Sequence, residues 1–162
     1  MYKKILVPLD GSELAECVLP HVESIAKGCG VESVVFARVV EPVDAPYGAI
    51  GDGGAVLTVP ETTRMRADID ESNKKDAEQY LNQLVNRQKY EGVKVQSTLI
   101  IGKAADSVAE YATKNDVDLI IIATHGRSGI SRWVWGSVAD RILRSACVPV
   151  LMVRAPGCVP NI

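Results

Sequence analysis

The apolar positions of this chain follow two alternating patterns. Short continuous apolar runs bounded by glycine, proline or polar residues read as buried strands. Longer stretches with apolar residues three or four apart read as amphipathic helices. The first run, Ile5 to Leu9, leads into Asp10-Gly11-Ser12. Ser12 is suited to N-cap a helix with Ala15, Val18, Leu19, Val22, Ile25 and Ala26 on one face, ending at Gly28 or Gly30. Val34 to Val40 is a second strand, closed by Pro42; Arg38 within it is expected near a strand end or reaching a carboxylate. A long helix follows from about Arg64 to Gln88, with Ala77, Tyr80, Leu81, Leu84 and Val85 as its stripe. In the third strand, Val93 to Ile101, apolar and polar residues alternate, as on a sheet edge. Then come a helix from Ala104 to Asn115, a strand Leu119 to Ala123, a helix Val138 to Ala146 bearing Ala139, Ile142, Leu143 and Ala146, and a strand Val148 to Val153. Pro149 lacks an N–H and belongs at that strand's start or on an edge.

Five strands alternating with helices call for an α/β fold, a parallel sheet with helices on both faces and right-handed crossovers. Ligands of such sheets bind beyond the carboxyl ends of the strands, where the strand order reverses. If strands one and four are neighbours there, Asp10 and the loop after strand four face one crevice. Residues 1–154 read as a single domain and 155–162 as an irregular tail. Residues 41–64 form a long insertion. Its centre, Asp44 to Thr63, holds four glycines and two prolines without periodicity, and either folds over a ligand or is disordered.

Composition narrows the function. A chain of 162 residues, 47% hydrophobic and 23% charged, suits one soluble domain. A net charge of −2 gives no footprint for nucleic acid, and no apolar run approaches a membrane span of roughly 20 residues. No signal peptide is visible after Met1-Tyr2-Lys3-Lys4. The cysteines, Cys17, Cys29, Cys147 and Cys158, show no CxxC spacing. Cys17 and Cys147 fall in helical patterns and read as buried thiols. A cytoplasmic protein is expected, with no metal site of its own, since His21 and His125 make no ligand spacing with the cysteines.

The chemistry centres on Ala123 to Ser137, ATHGRSGISRWVWGS, between the fourth strand and the last helix. Gly126 and Gly129 free the backbone there, and Gly136-Ser137 sits at a helix start, where N–H groups and the dipole favour an anion. The loop reads as a nucleotide phosphate site; the alternative is a connection whose glycines serve only the turn. No lysine precedes Ser137, so a Walker-type site is not indicated, and the dinucleotide fingerprint is missing after strand one. Asp10 would repel a pyrophosphate but suits a ribose or adenine group, which leaves the phosphates to the later loop.

With these residues in view, the chain resembles the universal stress protein family over nearly all of Tyr2 to Arg154. The opening Lys4-Ile5-Leu6-Val7-Pro8-Leu9-Asp10-Gly11-Ser12 matches its start. Thr124-His125-Gly126-Arg127-Ser128-Gly129, Gly136-Ser137-Val138-Ala139 and Cys147-Val148-Pro149-Val150-Leu151-Met152-Val153 match its close. The resemblance implies an adenine-nucleotide alpha-hydrolase-like sheet in the order 3-2-1-4-5 and a homodimer through the last strand, Pro149 to Val153. The ATP-binding branch carries G-x2-G-x9-G-[ST]; here Gly126, Gly136 and Ser137 match, and Ala123 replaces the first glycine. By resemblance Pro8 and Asp10 bound the adenine and ribose, Val39 meets the adenine edge through its backbone, and Ala123, Gly126, Gly136, Ser137 and Val138 surround the phosphates. The ligand would be ATP, or AMP or ADP, with any Mg2+ held by the phosphates. The implied role is a regulatory or sensor protein in stress response, acting on an unknown protein partner. Two other classes stay open: a slow ATPase or autophosphorylating enzyme using Ser137 or His125, and a nucleotide-free module in which Trp133 and Trp135 mark a protein contact.

Overall fold

The computed structural model describes residues 2–43, 59–124 and 137–154. Strands β1 (Lys4–Pro8), β2 (Ser33–Val40), β3 (Lys94–Ile101), β4 (Leu119–Thr124) and β5 (Val150–Arg154) form one parallel sheet in the order β3-β2-β1-β4-β5. The helices are α1 (Leu19–Gly28), α2 (Val59–Arg87), α3 (Ala104–Lys114) and α4 (Ser137–Ser145). None among the described residues is long and apolar enough to cross a membrane.

The period of two along each strand sorts the core into two layers. Ile5, Val7, Val34, Phe36, Leu119 and Ile121 face α1 and α2, meeting Val18, Val22, Leu81 and Leu84. Leu6, Val35, Ala37, Ile120 and Ile122 face α3 and α4, meeting Ala105, Val108, Ala139 and Ile142. β3 is an edge strand, as its alternation predicts.

Several local expectations need correction. Ser12 caps a 3-10 turn at Ala15–Val18, accepting from the Ala15 amide at 3.1 Å, and α1 begins only at Leu19. α2 begins at Val59, ahead of the expected Arg64. Pro60 falls in its first turn, where the missing N–H costs nothing. Cys147 is exposed between α4 and β5, and Cys17 is half-buried, so neither is a core thiol; burial still raises the Cys17 pKa. Leu143 is 44% exposed rather than part of the buried face of α4. Residues 44–58 of the insertion, Cys158 and the tail lie outside the described residues.

Candidate functional site

The strand order reverses between β1 and β4. β1 stays paired with β2 as far as Pro8↔Ala37, and the Leu9 amide donates to the Ala37 carbonyl at 2.8 Å. β4 stays paired with β5 as far as Thr124↔Arg154. The ladder between β1 and β4 covers only Ile5↔Leu119 and Leu6↔Ile120. The carboxyl ends of these central strands are thus held by their outer neighbours rather than by each other, and a crevice for a ligand belongs there.

The residues singled out from the sequence lie around this edge. Pro8 is the half-buried last residue of β1, and Asp10 is exposed two positions beyond. Val39 is the half-buried penultimate residue of β2, packed against the α3–α4 layer. Ala123 is penultimate in β4 and packs against the α1–α2 layer. Ser137 is the first residue of α4, and Val138 after it is 41% exposed. Gly126, Gly136, His125, Trp133 and Trp135 lie outside the described residues.

The turn after β1 is ordered by its own side chains. Asp10 Oδ1 accepts from the Ser12 amide at 2.8 Å and from Ser12 Oγ at 2.6 Å. Gly11 has φ 88°, a conformation that suits glycine. Arg38 sits near the end of β2, one of the two places expected for it, and its guanidinium carbon lies 5.3 Å from the centroid of the Tyr80 ring, a partner that sequence reasoning did not find. Tyr80 in turn donates to Glu16 at 3.0 Å, and burial, followed by that hydrogen bond, raises its pKa well above the usual phenol. Two further polar groups escaped notice. Thr124, buried at the end of β4, donates to the Val153 carbonyl at 3.5 Å, and Glu41 accepts from the Ala104 amide at 2.8 Å, closing the α3 start.

The sequence pattern described as Universal stress protein family matches residues 1–154. The chain belongs to the universal stress protein family. It is similar to universal stress protein MJ0531 of Methanocaldococcus jannaschii, 32% identical over 156 residues that cover 96% of this chain and 84% of the relative. The solved structure of MJ0577, from the same organism, covers 97% of this chain and 99% of its own at 28% identity, with a TM-score of 0.66. A universal stress protein family member from Arabidopsis thaliana, solved with AMP bound, shares the fold at TM-score 0.60 and 15% identity, covering 96% of this chain and 93% of its own. These universal stress proteins share the α/β nucleotide-hydrolase-like architecture.

Proposed function

We propose that this universal stress protein binds an adenine nucleotide, ATP or its AMP or ADP relatives, in the crevice between β1 and β4. The observation that carries the reading is the early end of the β1–β4 ladder, with Asp10, Val39, Ala123 and the start of α4 on the same sheet edge. Asp10 would accept ribose hydroxyls, and the Val39 backbone would meet the adenine edge. The amides of Ser137 and Val138 at the α4 start, with the loop containing Gly126 and Gly136, would receive the phosphates. The AMP held by the Arabidopsis family member supports the same ligand class here. Any Mg2+ would be held mainly by the phosphate oxygens. The role is that of a cytoplasmic regulator or sensor, its state set by the bound nucleotide and read by a partner protein.

Calorimetric titration with magnesium-ATP tests the reading. Asp10→Asn should weaken binding by about tenfold to a hundredfold, the worth of a charged hydrogen bond. Wild-type affinity in that variant would remove Asp10 from the site.

The protein is further expected to form a homodimer by antiparallel pairing of β5 with its mate, since Val150, Leu151 and Met152 are apolar residues of an edge strand. The Ile120 amide donates to the Pro149 carbonyl, so alternation turns the Met152 N–H away from β4. Met152→Pro should therefore yield a folded monomer by sedimentation velocity. A persistent dimer would place the interface elsewhere.

A further inference from the structure

The side chains of Arg38, Tyr80, Glu16 and Arg87 form a connected group beneath the Asp10 turn. A Cβ built on Gly11 would lie 3.1 Å from Arg38 Nη1 and 3.2 Å from Cζ, so the guanidinium rests against the turn's backbone. The same guanidinium meets the Tyr80 ring of α2. Tyr80 and Arg87 both bond Glu16, in the 3-10 turn that follows Ser12. One cation on β2 thus ties the turn after β1 to the middle of α2, and α2 is tied back to the chain just downstream of that turn.

We propose that Arg38 is a positioning residue for nucleotide recognition: by bracing Gly11 against Tyr80 it holds the Asp10 carboxylate where it receives the ribose hydroxyls. The proposal rests on the nucleotide reading above. Arg38 lies next to Val39 in sequence but on the other face of the sheet, where its guanidinium meets the Gly11 turn and the Tyr80 ring, so it acts through the turn. Arginine suits this place because a planar guanidinium can lie flat against both a peptide and a ring, which an ammonium cannot.

The experiment compares wild type, Arg38→Ala and Arg38→Lys, each verified as folded by circular dichroism, in calorimetric titrations with ATP and 2′,3′-dideoxy-ATP. Arg38→Ala should bind ATP about tenfold more weakly, on the scale of a lost desolvated cation–π contact together with the turn's lost order. It should bind the dideoxy analogue, which lacks the hydroxyls that Asp10 would receive, within about twofold of wild type. Arg38→Lys should not restore ATP affinity. Hydrogen exchange without nucleotide supplies an independent arm: the Ser12 and Ala15 amides should exchange about tenfold faster in Arg38→Ala, with amides of the α3–α4 layer unchanged. Equal losses for both nucleotides, full rescue by lysine, or unaltered exchange at Ser12 and Ala15 would each overturn the proposal. A wild type that binds neither nucleotide overturns the nucleotide reading and the ribose role of Arg38 with it, and the exchange arm then decides separately whether Arg38 braces the turn.

Discussion

Gly136→Val is expected to cost the protein its nucleotide while leaving it folded. In the proposed site the phosphates approach the amides of Ser137 and Val138, and nothing should project from the residue before them. A β-branched side chain would block that approach and resists any positive φ the turn requires. Each charge-assisted contact is worth about 1.5–3 kcal/mol, so losing one or two weakens affinity by about tenfold to about ten-thousandfold or more. The control is Gly92→Val, in the connection before β3 and away from the crevice. Gly92 has φ 73°, so its replacement is strained and should lower stability while leaving affinity alone. Titration of both variants with magnesium-ATP, beside circular dichroism, makes the comparison. Wild-type affinity in a folded Gly136→Val protein would detach the phosphates from the α4 start.

Phe36→Ala is expected to lower stability by about 3–5 kcal/mol. Phe36 is fully buried in the layer under α1 and α2, in a strand paired on both sides. Losses of this size are a large part of the roughly 5–15 kcal/mol that holds a domain together. Urea denaturation checks it: the midpoint should fall while the slope stays constant. Magnesium-ATP should recover part of the loss if the variant still binds it, because a ligand of the folded state stabilises by mass action.

Much of the fold was legible because the strands of a doubly covered sheet are nearly continuous apolar runs. Ile5 to Leu9 and Leu119 to Ala123 announced themselves in this way, and the alternation from Val93 onward marked β3 as an edge. Strand order was not legible from periodicity, since the position of β1 beside β4 depends on a crossover that leaves no local trace; the family resemblance supplied it. Pro60 hid the start of α2 because a proline that breaks a helix interior is tolerated in a first turn. Leu143 was misplaced because a short final helix buries a narrower stripe than its apolar residues suggest, and Cys147 because that helix ends at Ser145, before reaching it. In the candidate site, Asp10 and the α4 start could be placed from motif and position. The link from Arg38 to Tyr80 could not, because it joins separate elements and has no spacing signature.

The central pairing also bears on when the protein becomes competent during synthesis. β1 is the first strand made, yet its neighbour β4 arrives late: the Lys3 amide donates to Asp118, 115 positions away. Until then one side of β1 has no partner, and half of the crevice has not been translated. A ribosome-bound chain stopped before Leu119 could therefore not hold the nucleotide in the manner proposed. Ligand occupancy would then mark chains that have finished folding, because it waits on contacts between segments 115 positions apart.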